Sequence, residues 1–412
     1  MRHCARLIRR IGAAAALLCA SQVSAPAQTA APRQGFLNEP GFIERAAIFT
    51  DRRQGNGEFA NGFYPDLWNM VPGAGWISVG PGYRRWYAKD QVFVDASAGI
   101  SWRQYQNAQA RFELPRLARS RLALGAQFQW QDFTQVNYFG EGPETHSSGR
   151  SEYRIKSHDL VGYLTLRPVE WAGVGVAFGR MRPSILPRAG WFERDRPDTR
   201  ELFPADPVFA LANQPTFLHR ELSLTADTRD FPRHPTRGGS YRAAAVSHTG
   251  SDDVFSFTRY EVEGAHFVPL ADSRVVIALH GWLVASDASE GQAVPFYFLP
   301  SLGGHNTLRA YPDYRFHDRN LVVINAEGRL AMTAHIDAAL FVDAGNVAPR
   351  LGDLNLDKRS YGAGLRLHTR RQTFARIDAA RGDEGWRLVL RFTDPLELSR
   401  QSRRVAAAPF VP

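Results

Sequence analysis

The stretch "NLVVINAEGRLAMTAHIDAALFVDAG", residues 320–345, contains two segments in which apolar and polar residues alternate. Val322 and Ile324 fall on one face of the first segment, while Asn325 and Glu327 fall on the other. A period of two residues is that of a β-strand, because successive side chains of a strand point to opposite faces. The stretch therefore predicts two antiparallel strands, each apolar on one face and polar on the other.

The same alternation continues on both sides of this stretch, from about Gly75 to Phe392. Short polar turns are predicted near 115–120, 167–171, 231–239, 269–273, 332–335 and 368–372. Other connections, several of them much longer, alternate with these turns near 139–151, 182–215, 249–254, 285–319, 346–357 and 381–385. Strands with one apolar face, joined alternately by tight and long connections, are typical of a transmembrane barrel with a wet lumen. A β-sandwich with Greek-key connections would not keep this order.

The number of strands follows from counting the alternating segments. About fifteen lie after Gly75, and the first and last of them run toward the side of the short turns. A chain that starts and ends on that side needs an even number of strands, so we expect one more within 40–70, where "GFIERAAIF" (41–49) is a candidate. The predicted fold class is all-β: a transmembrane antiparallel barrel of about 16 strands. We expect the barrel to be closed, because every backbone N–H and C=O group in hydrocarbon must be paired within the protein.

The first 27 residues have the layout of a secretory signal peptide. Four arginines precede the apolar run 11–20, and small residues at 25–27 predict a mature chain that starts near Gln28. Both cysteines, Cys4 and Cys19, would leave with this peptide, and bulky residues before Cys19 disfavour lipid attachment. The predicted organisation is a signal peptide (1–27), an N-terminal periplasmic segment that can hold the first strand (28–74), the barrel (75–392) and a flexible periplasmic C-terminal extension (393–412).

The charge of the chain argues against a nucleic-acid partner. Without the signal peptide, 46 basic residues face 41 acidic ones, and only three of the basic residues are lysines. A net charge of +5, without a cluster of basic residues, does not fit a protein that binds the phosphate backbone of a nucleic acid. After the signal peptide, no stretch approaches the roughly 18 uninterrupted apolar residues of a membrane helix.

Motifs for catalysis are missing from the sequence. It has no GxSxG elbow, no HExxH and no Cys/His cluster with zinc spacing. His280 falls on the predicted lumen face, where a histidine on a polar wall is ordinary. Gly303 and Gly304 lack the strand-to-helix setting of a phosphate-binding loop. The sequence therefore predicts no catalytic, cofactor or metal site, and we expect the protein not to be an enzyme.

One loop carries a resemblance to a known family. "LGGHNTLRAYPDYRF" (302–316) resembles the signature loop of the outer-membrane translocase superfamily that includes BamA, TamA and the two-partner secretion transporters, in which a glycine pair precedes a VRGY-like tetrad. Four further segments agree in order: "QVNYFGEG" (135–142), "DTRDFPRHPTRGG" (227–239), "NAEGR" (325–329) and "FVDAG" (341–345). The family barrel has sixteen strands with this loop before its last five, and five strands are predicted after residue 319.

The resemblance implies a role for the loop arginine. From the residues alone, an arginine on an aromatic-rich loop is either solvated or folded back against an acid. The resemblance implies that the loop enters the lumen and that Arg309, beside Tyr311, pairs with Asp343 of the FxDxG-like motif. Strand parity puts Asp343 and Glu327 on the lumen face, so Glu327 is a further acceptor. Whether this pair only plugs the lumen or works as a gate stays open, and Gly303 and Gly304 are the loop glycines of this predicted lock.

Two features depart from the family pattern. Ala310 stands where the family has glycine, which would cost about 1 kcal/mol if the position required positive φ. Residues 28–74 are too few for the periplasmic POTRA domains of these relatives, so a separate periplasmic partner would have to supply a client.

A polar turn and the aromatic residues near strand ends are predicted to have structural roles. Asp227, Arg229 and Asp230 stand at a strand end before a turn rich in proline and glycine, and we expect them to shape that turn. Aromatic residues near strand ends predict a girdle at the membrane interfaces, formed by Tyr138, Phe139, Trp386 and Phe392.

The predicted function is the insertion or translocation of a protein client into or across the outer membrane of a Gram-negative bacterium. The expected partners are outer-membrane lipid, a protein client and a periplasmic protein in place of the POTRA domains. The alternative is a passive channel or structural barrel without translocation activity, and a membrane enzyme is a weaker third reading.

Overall fold

The computed structural model describes residues 35–54, 61–66, 78–211, 214–392 and 394–396. The predicted signal peptide and most of the predicted C-terminal extension lie outside these residues. Within them, no helix has the length and apolar character needed to cross a membrane.

Sixteen strands form one antiparallel sheet in which every strand pairs with its neighbours along the chain. They are β1 (Gly62–Asp66), β2 (Ser78–Tyr87), β3 (Val92–Ser101), β4 (Gln106–Arg116), β5 (Leu122–Tyr138), β6 (Ser151–Val169), β7 (Ala172–Pro187), β8 (Phe217–Asp227), β9 (Gly238–Gly250), β10 (Ser256–Leu270), β11 (Val275–Ala288), β14 (Asn320–Ala331), β15 (Ile336–Ala348), β16 (Lys358–His368), β17 (Thr373–Gly382) and β18 (Gly385–Arg391). Two short strands, β12 (Ser301–Leu302) and β13 (Phe316–His317), pair only with each other. The predicted all-β architecture and the count of sixteen are confirmed.

Helices form a small part of the described residues, and all but one of them have four residues. They are α1 (Gly41–Gln54), α2 (Leu117–Ser120), α3 (Thr199–Leu202) and α4 (Pro207–Ala210), with 3-10 turns at Ser147–Gly149, Phe296–Phe298 and Leu351–Asp353. In α2, three consecutive residues have positive φ, so it is a left-handed tight turn rather than a regular helix.

The proposed strand "GFIERAAIF" is wrong, because this segment forms part of α1. Its buried residues Ile43 and Ala47 share one face of this helix, whereas Arg45, which would lie on the same face as both in a strand, is exposed. The first strand lies further along, at β1, where Gly62 to Asp66 pair with β2. Ahead of α1, the backbone N–H of Leu37 donates to the carbonyl of Met332 (2.8 Å), so this segment is attached to the β14–β15 turn.

The sheet curls around a lumen whose wall is polar. The loop between β12 and β13 contacts β5, where Asn137 Nδ2 donates to the carbonyl of Asp313 (3.2 Å). The same loop contacts the β17–β18 turn, where the Tyr311 hydroxyl donates to Asp383 Oδ2 (3.1 Å). Elements from both halves of the sheet therefore contact one loop. On β14, Glu327 faces this interior and is buried, whereas outward-facing apolar side chains such as Leu340 and Leu388 are about 70% exposed.

The two ends of the barrel differ as predicted. Short links such as 88–91, 170–171, 271–274 and 369–372 lie at one end, and the long connections, above all 188–216 and 289–319, lie at the other. Aromatic and aliphatic side chains from these long connections and the nearby strand ends form one buried cluster inside the barrel, which includes Tyr105, Phe133, Tyr138, Tyr153, Phe217, Phe257, Phe296 and Phe298.

The predicted aromatic girdle is wrong at two positions. Tyr138 and Phe139 are 2% and 3% exposed, and Tyr138 belongs to the interior cluster. From Gln131 to Tyr138 strand β5 is buried on both faces, because the long connections cover its outer part. Trp386, in contrast, is 69% exposed on the outside.

The first and last strands form the seam of the sheet. In the described part of the chain β1 pairs only with β2, and β18 pairs only with β17. These two strands have five and seven residues, fewer than any other strand of the sheet. Between β1 and β18 the described residues form no backbone pairing, so the expected closure of the sheet is not seen and the sheet is open along this seam.

Candidate functional site

A loop from residue 303 to 315 lies inside the barrel, held at its base by the short ladder between β12 and β13. Gly303 and Gly304 have φ of +114° and +98°, a region of backbone conformation that favours glycine. A Cβ atom on Gly303 would also lie 2.4 Å from the carbonyl oxygen of Pro312. The glycine pair therefore allows the sharp bend with which the chain turns into the lumen.

Arg309 stands at the centre of this loop and is 1% exposed. Its Nε and Nη2 donate to the two oxygens of Asp343 at 3.0 Å and 2.8 Å, and its Nη1 donates to Glu327 Oε2 at 2.7 Å. Its guanidinium also lies 3.4 Å from the centre of the Phe341 ring. The structure thus brings together Arg309, Asp343 and Glu327, the three residues for which the family resemblance and strand parity predicted a contact.

The arginine also binds through its backbone, whose N–H donates to Asp343 Oδ2 at 3.2 Å. Asp343 accepts further hydrogen bonds from Ser360 Oγ (2.7 Å) and Asn325 Nδ2 (2.8 Å). Burial alone would lower the pKa of Arg309, but the carboxylates of Asp343 and Glu327 raise it above its ordinary value. The guanidinium is therefore charged, and each of its three nitrogens donates a hydrogen bond to a carboxylate.

Arg309 belongs to a larger ionic network on the lumen wall. Glu327 accepts from Arg366 Nη2 (2.7 Å) and from Arg329 Nε (2.9 Å), and Arg329 in turn donates to Asp394 (3.0 Å). Asp378 accepts from Arg376 (2.8 Å) and from Arg366. The members of the network are four arginines (Arg309, Arg329, Arg366, Arg376) and four acids (Glu327, Asp343, Asp378, Asp394).

The network is balanced in charge and buried. Its four arginines are the largest of the fully buried side chains. Removing one partner from a buried ion pair costs about 3–5 kcal/mol, because the other charge stays uncompensated. The loop therefore has one well-defined docked position, from which it moves only if these charges exchange partners.

The tip of the loop is bound to the last strand. Asp313 lies 3.4 Å from Arg387 and 3.9 Å from Arg391, both on β18. Arg387 also donates to the carbonyl of Tyr311. Burial alone would raise the pKa of Asp313, but Arg387 and His305 hold it well below its usual range. The loop thus connects the arginine network to a strand of the seam.

The remaining predicted residues have structural positions. Arg229 in the β8–β9 turn donates to both oxygens of Asp227 (2.9 Å and 2.6 Å), and Asp230 accepts from the backbone N–H of Thr236 (2.9 Å). These bonds fix the turn and do not reach the arginine network. Ala310 is not among the residues with positive φ, so the expected strain at this position is absent.

Several members of the network were missed by the sequence reasoning. Arg366, Arg376 and Asp378 could have been found from strand parity, which places them on lumen faces. Asp394 was missed because the extension after Phe392 was expected to be flexible. That expectation is wrong for residues 394–396, which are buried, and Leu396 packs against lumen side chains of β10 and β11 such as Phe267.

Comparisons with known proteins agree on one fold. A model of the Omp85 superfamily domain matches residues 90–372. Among solved structures, the chain is similar to BamA from Haemophilus ducreyi lacking POTRA domains 1–3, with 16% identity, coverage of 82% of this chain and 70% of that chain, and a TM-score of 0.61. It is also similar to CdiB from Escherichia coli, with 13% identity, coverage of 81% and 62%, and a TM-score of 0.52. No curated protein matches the chain.

Proposed function

The chain belongs to the Omp85 superfamily, and from this premise we propose that it inserts or translocates a protein client at the outer membrane. Its superfamily is one of outer-membrane proteins concerned with protein insertion and translocation, which indicates the outer membrane of a Gram-negative bacterium. The observation that carries the proposal is the docked loop, because Arg309 joins the wall of the barrel to a segment that also holds β18.

The loop offers a physical route from the lumen to the seam. When a client competes for the lumen wall, the charges around Arg309 exchange partners and the loop tip releases Arg387 and Arg391. Strand β18 then keeps only its ladder with β17. Unpaired strand edges accept added strands readily, so a released β18 is suited to pair with a strand of a client.

The described segments that occupy the lumen argue against the alternative of a passive channel. The interior aromatic cluster occupies the end with the long connections, and the docked loop with its network lies below it. At the other end, the β8–β9 turn and residues 394–396 are folded inward. A passive channel needs a continuous water path, whereas a translocator is closed until a client engages it.

The proposal includes no catalytic role, and it includes a periplasmic protein that delivers the client. In the described residues ahead of β1, α1 and the segment before it are the parts that could meet such a protein. His335 Nδ1 lies 2.6 Å from Glu39 Oε2, so this segment sits on the β14–β15 turn at the short-turn end. A delivered client would therefore arrive at the short-turn end of the lumen, where the β8–β9 turn and residues 394–396 fold inward; we call this end the lumen floor.

The experiment is quantitative proteomics of outer-membrane and secreted fractions from a deletion strain. The strain is complemented with wild type, Arg309→Ala or Arg350→Ala, at matched barrel amounts in the membrane. Arg350 is the control because its side chain is 82% exposed on an outer connection. We expect one protein or a small set to disappear on deletion, and to be restored by wild type and Arg350→Ala but not by Arg309→Ala. Unchanged fractions in the deletion strain would contradict the proposal.

A further inference from the structure

Three metal-ligating side chains meet at the short-turn end of the barrel. His234 belongs to the β8–β9 turn, Asp337 to the start of β15 and His368 to the end of β16. One ligand atom from each residue, an imidazole nitrogen or a carboxylate oxygen, lies within 4.8 Å of the other two. All three residues are buried, with exposures of 1%, 0% and 2%.

The cluster joins parts of the barrel that are far apart in strand order. The β8–β9 turn reaches the β16–β17 turn, where the N–H of Thr373 donates to the carbonyl of Arg233 (3.0 Å) and Arg233 forms a β-bridge with Gln372. Strands β10, β11, β14 and β15 lie between these turns in the sheet. The β8–β9 turn therefore crosses the lumen at the short-turn end. It places His234 beside β15 and β16 on the opposite side of the barrel.

Hydrogen bonds orient both imidazole rings. Nδ1 of His368 lies 3.0 Å from the carbonyl oxygen of Thr369, which can only accept, so this nitrogen carries the proton. Nδ1 of His234 lies 3.0 Å from the hydroxyl of Thr373. The Nε2 atoms of both rings are turned toward Asp337. Metal-binding histidines in proteins are held in the same way, by a hydrogen bond to the nitrogen that does not bind the metal.

The distances to the carboxylate fit a shared cation. Nε2 of His368 lies 3.2 Å from Asp337 Oδ1, and Nε2 of His234 lies 3.7 Å from Oδ2. Within the described residues Nε2 of His368 makes no hydrogen bond, although it is buried beside this oxygen. Two ligand atoms about 2.0–2.2 Å from a tetrahedral zinc ion lie about 3.3 Å apart, with their lone pairs directed at the metal and not at each other.

From this geometry we propose that His234, Asp337 and His368 bind one divalent transition-metal ion, with Zn²⁺ as the first candidate. Two imidazoles and one carboxylate suit zinc and its neighbours in the periodic table, whereas Ca²⁺ and Mg²⁺ prefer sets of oxygen ligands. Three protein ligands leave a fourth position for water. The ion cross-links the β8–β9 turn to strands β15 and β16, and so holds this turn in place across the lumen.

Sequence reasoning predicted no metal site because the ligands have no recognisable spacing. They come from one turn and two strand ends, separated by 103 and 31 positions in the chain, as the numbering of the three residues gives directly. Only the contact across the lumen floor brings them together. The site does not depend on the proposed function, since a structural ion would bind equally in a translocator or in an inactive barrel.

The test uses the untagged mature protein in detergent, stripped with a chelator, incubated with Zn²⁺ and desalted. We expect one zinc per chain by elemental analysis, and the visible absorption of a tetrahedral ion when Co²⁺ replaces Zn²⁺. His234→Gln with His368→Gln should lower the affinity for Zn²⁺ by more than the roughly 10–100-fold that is lost when only the hydrogen-bond partner of a metal ligand is removed. The matched control is His219→Gln with His248→Gln, which removes another buried and touching histidine pair (3.3 Å) that lies outside the cluster.

Each outcome decides the proposal. Zinc lost in the cluster variant but kept in the control supports it. A wild type without zinc after desalting, or a cluster variant that binds zinc as the wild type does, overturns it. If the double variant does not fold, Asp337→Asn is measured instead, and a Co²⁺ spectrum unaffected by that change would equally overturn the assignment.

Discussion

At the scale of single residues, Arg309 shows why the loop position needs arginine. Its planar group donates to Asp343 through two nitrogens and to Glu327 through a third, while its face lies on Phe341. A lysine offers one compact charge and cannot reproduce this fork. Because each acid also serves other donors, the loss of Arg309 would disturb the whole network and not one bond.

Two histidines of the same loop region predict a response to acid. Burial, followed by the charge of Arg391, lowers the pKa of His305 to about 3, and burial lowers that of His317 to about 3. Both bases have a lower pKa when folded than the ordinary 6.5, so the folded protein binds fewer protons than the unfolded one. Their contribution to stability is complete above about pH 6.5 and is lost as the pH falls toward 3.

We therefore expect the docked loop to loosen between pH 6.5 and pH 4, by about 1.4 kcal/mol per pH unit for each histidine. The measurement is hydrogen exchange of residues 303–317 at pH 6.5, 5.5 and 4.5, corrected for the intrinsic rate. His305→Gln with His317→Gln should flatten this dependence. Equal pH dependence in the variant and the wild type would count against the assignment.

At the scale of elements, the tether between the loop and β18 predicts how the seam behaves. Removing the guanidinium in Arg387→Ala takes away the contacts with Asp313 and with the carbonyl of Tyr311. We expect faster backbone hydrogen exchange in β18, about tenfold for each 1.4 kcal/mol lost. Arg381→Ala is the control, because that side chain is exposed beside Trp386 and does not touch the loop contacts named here. Unchanged exchange in β18 of Arg387→Ala would show that the tether does not restrain the seam.

The elements also show what could be predicted from the sequence. Strands β14 to β18 could be predicted because their side chains alternate without interruption between the lipid-facing and the lumen-facing side. Ile324 and Glu327 illustrate the two sides. Strand β1 was not readable, since five residues with a proline carry almost no alternation. The burial of Tyr138 was not readable either, because it depends on connections from elsewhere in the chain that cover β5. The contact of Arg309 was predictable only through the family motif, while Asp394 needed the fold.

At the scale of the whole molecule, the lumen of the barrel is occupied by segments that come from different regions of the chain. Residues 394–396 lie beyond the last strand and yet reach the lumen, where Asp394 binds Arg329 (3.0 Å) and Leu396 packs against β10 and β11. This segment blocks the lumen from inside at the short-turn end. It also neutralises a buried arginine that would otherwise have only Glu327 as an ionic partner among the described residues.

Truncation after Phe392 is therefore expected to open the barrel. Without Asp394 and Leu396, Arg329 regains water and the short-turn end of the lumen loosens. We expect larger and more frequent conductance steps in planar lipid bilayers than the wild type shows. Asp394→Asn, which keeps the segment but removes its charge, should give an intermediate effect. Identical conductance of the truncated and intact proteins would contradict the role given to this segment.

The contact between the β8–β9 turn and the start of β17 also implies an order of assembly. His234 and Thr373 are 139 positions apart, and their hydrogen bond cannot form until β15, β16 and the beginning of β17 are in place. Contacts between such distant parts of a chain form slowly and late. The β8–β9 turn therefore reaches its final position only after most of the strands have paired. A molecule in which this contact has formed is one whose barrel is complete almost to its last hairpin.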